Sequence, residues 1–270
     1  MNKELIEKEK NLIELIKKYK RAAIAYSGGA DSTYLLYISG KALEGNLLAV
    51  TVSTSYMFKN EIEEAKAYAK EQGVKSKILY LPIPEAIMDN PNGRCYHCKK
   101  NIFNNLKKLC SGLDIKYIFD GTNLDDTKVY RPGLKALEEL NIISPLKEIG
   151  FTKEEIRQLS FYHNLKTYDK PSNSCILTRL AEGEKIEEVK LRRIEDGEAF
   201  IKSLGYNDVR LRSIGDTARI ELPKDRIKDV FISDRYVLIN TKLKELGFSF
   251  VSIDLEGYKM GNMSREAAYE

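Results

Sequence analysis

The sequence lacks any apolar run long enough to span a membrane, and its lysine- and glutamate-rich start has no apolar core of an export signal. We therefore expect a cytoplasmic protein with no membrane partner. The formal net charge of +4 over 270 residues is too small to indicate nucleic acid as a partner by itself. A composition of 43% hydrophobic and 31% charged residues is typical of a globular protein with one large core or two smaller ones.

Cysteine is also scarce, with four residues in the chain: Cys95, Cys98, Cys110 and Cys175. Four cysteines without an export signal favour metal or redox chemistry over a disulfide framework. Cys110 lies near the end of a lysine-rich helical stretch, and we expect it to be a packing residue. The other three are candidates for chemistry.

The most informative segment is residues 22–32, which reads AAIAYSGGADS. It predicts a buried strand, a glycine turn, and a helix that opens on Asp31 and Ser32. Such a turn directs several backbone N–H groups at one point beside the positive end of a helix dipole, which suits a phosphate chain. The turn has no lysine of the Walker type. It resembles the PP-loop of the ATP pyrophosphatases, which split ATP into AMP and pyrophosphate; an ordinary strand-to-helix turn is the alternative.

Strands and helices alternate through residues 1–165. The predicted strands cover 22–26, 47–53, 77–83, 116–120 and 142–146. Predicted helices include an amphipathic one over 3–20, one from Glu61 to Gly73 with Asn60 as its cap, and one that begins with a capping box at Thr152. This alternation predicts an α/β fold with a doubly wound parallel sheet, whose ligands lie beyond the carboxyl ends of the strands.

Residues 166–270 are predicted to form a second, smaller α+β domain for substrate binding and oligomerisation. It begins with a polar linker, 166–185, that carries Cys175. A helix–glycine–strand unit then occurs twice, at Gly205 and at Gly247, with a strand over 218–222 between the copies. We expect a mainly antiparallel or mixed sheet.

The PP-loop pattern gives the candidate ATP site. Ser27, Gly28, Gly29 and Ser32 are expected to hold phosphates. Asp31 is expected to help hold the Mg²⁺ that neutralises them, although Asp31 and Ser32 are also good helix-capping residues. Ser55, after the second strand, is predicted to contact adenosine. Gly121, after the fourth strand, is predicted to let the nucleotide approach the backbone.

Cys95 and Cys98 form a C-x-x-C pair in the loop predicted after the third strand, and Cys175 lies just beyond the last helix of the first domain. A C-x-x-C pair alone fits zinc, a redox dithiol or an iron–sulfur centre. Three thiolates without an evident fourth ligand favour a [4Fe–4S] cluster with one open iron. His97 as a fourth ligand would instead indicate structural zinc.

Over nearly its whole length the chain resembles the LarE family of ATP-dependent sulfur transferases. The PP-loop carries the resemblance together with four further segments: Tyr130–Ala136, Ser174–Cys175, Ala218–Pro223, and Asp254–Lys259 with Gly261. The resemblance implies an enzyme that adenylates a carboxylate of pyridinium-3,5-biscarboxylic acid mononucleotide and releases pyrophosphate. Sulfur then displaces AMP and leaves a thiocarboxylate, a step in making the nickel-pincer nucleotide cofactor of lactate racemase. ATP, Mg²⁺ and a homo-oligomer, with a hexamer as one form, are also implied.

Members of the family that the chain resembles differ in the source of the sulfur. Some members sacrifice the sulfur of a single cysteine at the position of Cys175. Others carry three cysteines that hold a [4Fe–4S] cluster, whose open iron binds a sulfide for delivery. The trio here favours the cluster, with Cys95, Cys98 and Cys175 as ligands; a sulfide or another sulfur donor is then a partner.

Family positions near the substrate match Arg179, Arg210, Arg212, Glu198, Glu221 and Asp234. Arg210 and Arg212 share one strand face and would suit a phosphate, with a solvated strand face as the alternative. The three acidic residues could instead be surface charges. Residues 179–183 read RLAEG where the family has proline and tyrosine at the third and fourth positions, so the exact substrate stays open.

Three other functions fit part of the pattern. A tRNA thiolase can combine this loop with a three-cysteine cluster, but the sequence has no RNA-binding zinc module and no dense basic patch. A non-catalytic ATP and metal sensor would bind ATP without cleaving it. An ammonia-using synthetase would leave Cys95 and Cys98 without a role.

Overall fold

The computed structural model describes residues 3–128, 131–171, 174–232 and 234–258. The chain forms two compact units: Met1–Pro84 with Cys95–Asn173, and Glu85–Arg94 with Ser174–Glu270. Three residues of the family motifs, Tyr130, Lys259 and Gly261, lie outside the described residues.

The first unit is built on a parallel four-stranded sheet. Its elements are α1 (Lys3–Lys17), β1 (Ala22–Ala25), α2 (Ala30–Leu43), β2 (Leu47–Ser53), α3 (Lys59–Glu71), β3 (Lys75–Tyr80), α4 (Arg94–Ser111), β4 (Tyr117–Phe119), α5 (Pro132–Glu139), α6 (Pro145–Ile149) and α7 (Lys153–Tyr162), with a 3-10 helix at Asp125–Lys128. The strand order is β3-β2-β1-β4, and every pair is parallel. The α/β class predicted from the sequence is confirmed.

Successive side chains of the central strands pack on opposite faces of this sheet, as the period of a strand requires. Ile24 and Ala49 join a core with residues of α1, α2, α3 and α7. Ala23 and Val50 join a second core with residues of α4 and α5, including the buried Cys110. Helices therefore cover both faces, which is the doubly wound arrangement, and Cys110 is the packing residue that we expected.

Two local predictions for this unit were wrong. The fifth strand, 142–146, is reduced to a single parallel bridge between Ile143 and Phe119. Pro145 has no N–H to donate to a neighbouring strand, and it begins α6 instead. Helix α3 begins at Lys59 with Phe58 at the N-cap, so Asn60 is not the cap. The capping box at Thr152 is confirmed by reciprocal bonds with Glu155.

The second unit has a smaller mixed sheet. Its elements are α8 (Glu188–Ser203), β5 (Arg210–Ile214), β6 (Thr217–Glu221), α9 (Ile227–Ile232), α10 (Arg235–Glu245) and β7 (Phe250–Ile253), with 3-10 helices at Glu85–Ile87, Ile176–Arg179 and Lys224–Arg226. Strands β5 and β6 are antiparallel, whereas β6 and β7 are parallel. The helix–glycine–strand unit therefore occurs twice, as α8 to β5 and as α10 to β7, and the mixed sheet is as predicted.

Among the described residues, no helix combines the length and the apolar character needed to cross a membrane.

Candidate functional site

The turn between β1 and α2 requires glycine at residue 28. Gly28 has a φ of 73°, in the left-handed region that side chains disfavour. A Cβ atom at this residue would also lie 3.1 Å from the Cβ of Ala65 in α3. Conformation and close packing thus both explain the first glycine of the turn.

Polar groups converge at this turn. The hydroxyls of Ser27 and Ser32 lie 3.1 Å apart, and the Ser32 hydroxyl also donates to the carbonyl of Gly29 at 3.1 Å. Helix α2 begins at Ala30 with Gly29 at the N-cap, and no side chain caps it. The capping roles considered for Asp31 and Ser32 are therefore wrong. An N-terminus without a capping side chain is suited to binding an anion.

Gly121 lies directly against the start of α2. A Cβ atom at residue 121 would be 3.0 Å from the backbone nitrogen of Ser32 and 3.2 Å from its Cα. Any side chain at this position would press on the first turn of the helix. Because Gly121 has no side chain, the segment after β4 can lie in contact with the start of α2.

Asp31 is held by an amide that the sequence analysis gave no role. The side-chain nitrogen of Asn123, which is fully buried, donates to Asp31 Oδ2 at 3.1 Å. Asn123 is itself fixed by Asp126: its backbone N–H donates to Asp126 Oδ2 at 3.3 Å, and its Oδ1 accepts from the Asp126 backbone at 3.2 Å. The polar run after β4 was the available signal for both residues.

Burial raises the pKa of Asp31, and the nearby negative charge of Asp126 raises it further; Lys153 and the Asn123 amide act in the opposite direction. Asp126 also forms ion pairs with Arg131 and with Lys153, each at 3.0 Å. A partly buried carboxylate beside a like charge is stabilised by a bound cation. Asp31 is therefore a chemically suitable ligand for a divalent metal.

Ser55 lies in the turn after β2 and is half-buried. Its neighbour Tyr56 is buried, and the Tyr56 hydroxyl lies 3.2 Å from the sulfur of Cys98. The adenosine contact of Ser55 stays a prediction.

Cys95 and Cys98 lie at the N-terminal end of α4, not in a loop as predicted. Their spacing of three residues puts them on one side of the helix, where Cys95 is exposed and Cys98 is half-buried. The ring of His97 packs against Tyr96, with the ring centres 5.2 Å apart.

Cys175 belongs to the second unit and lies at the N-cap of the 3-10 helix Ile176–Arg179. Its carbonyl accepts hydrogen bonds from the backbone N–H and the hydroxyl of Thr178, at 3.1 and 2.9 Å. Within the parts of the chain that the structure describes, no three His, Cys, Asp or Glu side chains gather as a metal site. The set of three thiolate ligands, and His97 as a fourth ligand, stay predictions.

Arg179 is fully buried and organises the backbone around Cys175. It forms a two-point ion pair with Glu198: Nε donates to Oε1 at 2.8 Å, and Nη2 donates to Oε2 at 3.2 Å. Its Nη1 donates to the carbonyls of Ser174 at 2.7 Å and Cys175 at 3.3 Å. Glu198 is fully buried, so its reading as a surface charge is wrong.

Arg210 and Arg212 are both buried on one face of β5, so the solvated-face alternative is wrong. Arg212 donates to Glu221 Oε2 at 2.7 Å and to the carbonyl of Thr178 at 2.6 Å. Arg210 packs over the ring of Tyr258 at 5.0 Å and donates to the carbonyl of Val209 at 2.9 Å. The Nε atoms of both arginines have no hydrogen-bond partner, but Arg212 pairs with Glu221, whereas no carboxylate among the described residues pairs with Arg210. Of the two arginines, Arg210 is the one with capacity for an anion.

The two remaining acidic candidates differ sharply. Glu221 is buried and accepts hydrogen bonds from Arg212 and, at 2.9 Å, from Arg219, so it is not a surface charge. Asp234 is exposed at the N-cap of α10 with a φ of 53°. In the described part of the chain, Asp234 has no ion pair with these arginines, which fits its reading as a surface charge.

The doubly wound parallel sheet, with a glycine turn between its first strand and the next helix, defines an α/β protein of the PP-loop, Rossmann-like class. No family model matches the chain. It is 31% identical over 264 residues to the pyridinium-3,5-bisthiocarboxylic acid mononucleotide synthase of Lactiplantibacillus plantarum, which covers 96% of this chain and 95% of the synthase. The chain therefore belongs to the family of this synthase, the LarE family.

Two further relatives are similar over almost their full length. An uncharacterized protein of Synechocystis sp. is 37% identical over 263 residues, covering 96% of this chain and 97% of that protein. An uncharacterized protein of Methanocaldococcus jannaschii is 33% identical over 257 residues, covering 95% of this chain and 98% of that protein. The similarity thus extends through both units.

Proposed function

We propose that this protein is an ATP-dependent sulfurtransferase that inserts sulfur into pyridinium-3,5-biscarboxylic acid mononucleotide during nickel-pincer cofactor synthesis. The observation that carries the ATP part is the start of α2, which has no capping side chain and lies beside the Asp31 carboxylate. The substrate follows from the name of the synthase to which the chain is similar. The first unit would activate the substrate, and the second would bind it.

The turn supplies what pyrophosphate release needs. The N–H groups at the start of α2 and the hydroxyls of Ser27 and Ser32 would bind the phosphates of ATP. Asp31 would hold Mg²⁺, which neutralises charge on the phosphate oxygens. The Asn123 amide donates to Asp31 Oδ2 and so orients the carboxylate that would hold the metal.

The chemistry then has two balanced steps. In the first, a carboxylate oxygen of the substrate attacks the α-phosphorus of ATP, the bond to the β-phosphate oxygen breaks, and pyrophosphate leaves. In the second, sulfide attacks the carbonyl carbon of the acyl adenylate, and the bond to AMP breaks to leave a thiocarboxylate. Activation is needed because a carboxylate is a poor acceptor for a nucleophile, whereas AMP is a good leaving group.

The second unit offers a site for the phosphate of the substrate. Arg210 is a buried guanidinium without a carboxylate partner among the residues described, and a buried charge is costly unless it is paired. A phosphate bound there would satisfy it. Arg179, Arg212, Glu198 and Glu221 would act mainly by shaping this site, because they already pair with one another.

Cys95, Cys98 and Cys175 would hold a [4Fe–4S] cluster, whose open iron supplies a bound sulfide. Thiolates are the donors that such a cluster takes, although no three-ligand group is gathered in the residues described. The alternative is sacrifice of the Cys175 sulfur itself. Sulfide gives the thiocarboxylate directly in the second step. The Cys175 thiolate would first give a thioester, and loss of the Cα proton would then break the Cβ–Sγ bond, which releases the thiocarboxylate and leaves dehydroalanine.

The test is anaerobic turnover with ATP, Mg²⁺, sulfide and the biscarboxylate mononucleotide, followed by mass spectrometry of the small molecules and the protein. AMP, pyrophosphate and a thiolated product are expected, whereas ATP binding without AMP would indicate a sensor. A protein lighter by one hydrogen sulfide would show that Cys175 is consumed. Anaerobically purified protein should contain about four irons per chain; a colourless protein with stoichiometric zinc would overturn the cluster.

A further inference from the structure

The turn between β1 and α2, which is proposed to bind the phosphates, carries no positive side chain of its own. Residues 27–32 read SGGADS and contain neither lysine nor arginine. Backbone N–H groups supply only partial charges, whereas a bound triphosphate concentrates several full negative charges at one place. A phosphate site of this kind is stronger when a lysine or arginine also contacts the phosphate oxygens.

Lys170 brings an ammonium group to this turn from elsewhere in the first unit. Its Nζ donates to the carbonyl of Gly28 at 3.2 Å, although the two residues are 142 positions apart in sequence. The same Nζ pairs with Glu64 Oε2 in α3 at 2.8 Å. The side chain of Lys170 is only 22% exposed, so the ammonium is held against the turn and does not extend into solvent.

The backbone that carries Lys170 is fixed by a second residue. Arg157 in α7 donates from Nη1 to the carbonyl of Tyr168 at 2.7 Å and from Nη2 to the carbonyl of Lys170 at 2.8 Å. One rigid guanidinium thus holds two carbonyls of the segment that follows α7. This fixation lowers the entropy cost of presenting the ammonium at the turn.

We propose that Lys170 is a phosphate-binding residue of the ATP site and does the work of the lysine that this turn lacks. An ammonium has three donors, so Nζ can keep its bond to Gly28 while it donates to a phosphate oxygen. Glu64 neutralises the ammonium until the phosphates arrive and is then displaced as its partner. The inference rests on the proposed use of ATP, and it adds a residue remote from the loop motif.

The test compares Lys170→Met with Lys166→Met as a matched control. Lys166 lies on the same segment and also pairs with a glutamate, Glu71, at 3.5 Å, but its side chain is 77% exposed. Dissociation constants for ATP, pyrophosphate and AMP would be measured calorimetrically with Mg²⁺. We expect Lys170→Met to weaken ATP and pyrophosphate binding at least about tenfold, or about 1.4 kcal/mol. The dissociation constant for AMP should change by less than about twofold, since AMP lacks the β- and γ-phosphates. Lys166→Met should leave all three dissociation constants unchanged.

Two kinds of outcome would overturn the inference. Unchanged ATP binding in Lys170→Met would show that the ammonium does not contact the phosphates. Equal losses for ATP and AMP, or an equal loss in Glu64→Gln, would show that the ion pair only supports the fold of the turn. Glu64→Gln is expected to bind ATP at least as tightly as the unmodified protein. If the unmodified protein itself does not bind ATP, the proposed function fails, and that result is distinct from either outcome.

Discussion

The guanidinium of Arg179 and the carboxylate of Glu198 form a two-point ion pair although their side chains are 0% and 1% exposed. Removing one partner of a buried pair leaves an uncompensated charge, which costs about 3–5 kcal/mol. The pair also joins α8 to the segment that carries Cys175, since Arg179 donates to the carbonyls of Ser174 and Cys175. It is therefore a structural support for that cysteine.

We expect Arg179→Met and Glu198→Gln each to lower the free energy of unfolding by about 3 kcal/mol, measured by urea denaturation. The double variant Arg179→Met/Glu198→Leu should recover part of this loss, because no buried charge remains. As a control, Lys242→Met breaks an exposed pair with Glu245 and should cost less than about 1 kcal/mol. Additive losses in the double variant would contradict the pairing.

The local part of this architecture could be predicted from sequence, and the long-range part could not. The strand, glycine turn and helix at residues 22–43 follow from periodicity and from the need for a positive φ at Gly28. The pairing of Arg179 with Glu198 depends on how two elements pack, and no local pattern encodes it. The prediction of a fifth strand followed the apolar run at 142–146 and was wrong. Pro145 has no N–H for a hydrogen bond to a neighbouring strand, and it begins α6.

In the candidate site, too, local features could be predicted from the sequence and long-range contacts could not. Gly121 was expected to permit close approach to the backbone, and it does lie against Ser32. Asn123 was missed although the polar run after β4 was a signal for it, whereas Lys170 was missed because a lysine in a polar segment has no distinctive signature. Only the folded chain brings Lys170 to Gly28.

Arg210 and Arg212 should respond differently to the same substitution. Arg210→Met should raise the KM for the biscarboxylate mononucleotide at least about tenfold, because a charge-assisted hydrogen bond contributes about 1.5–3 kcal/mol. It should leave the KM for the dephosphorylated nucleoside unchanged and cost little stability. Arg212→Met should lower the free energy of unfolding by about 1.5–3 kcal/mol, since it removes one charged hydrogen bond from the buried Glu221, which keeps its bond from Arg219. Equal KM effects on both substrates would exclude Arg210 as the phosphate contact.

The thiols should differ in reactivity with iodoacetamide in the metal-free protein at pH 8. Cys95 is exposed and should be alkylated first, while Cys110 should stay unmodified. Burial both covers Cys110 and raises its pKa to about 11, so it is neither accessible nor ionised. Peptide mass mapping over time checks the order. Rapid alkylation of Cys110 in folded protein would contradict the packing of this α4 residue in the core.

Asp31→Asn should abolish AMP formation and yet stabilise the protein at neutral pH in the absence of Mg²⁺. Burial and the Asp126 charge raise the pKa of Asp31, so the folded state holds its negative charge at a cost above that pKa. The gain should disappear as the pH falls below the ordinary carboxyl range, where Asp31 is protonated in both states. Asp125→Asn is the control, and it should destabilise the protein at neutral pH. The hydrogen bond from Lys128 lowers the Asp125 pKa, so the charged form of Asp125 stabilises the folded state. Urea denaturation across pH measures both; an Asp31→Asn variant that still forms AMP would contradict the proposed metal site.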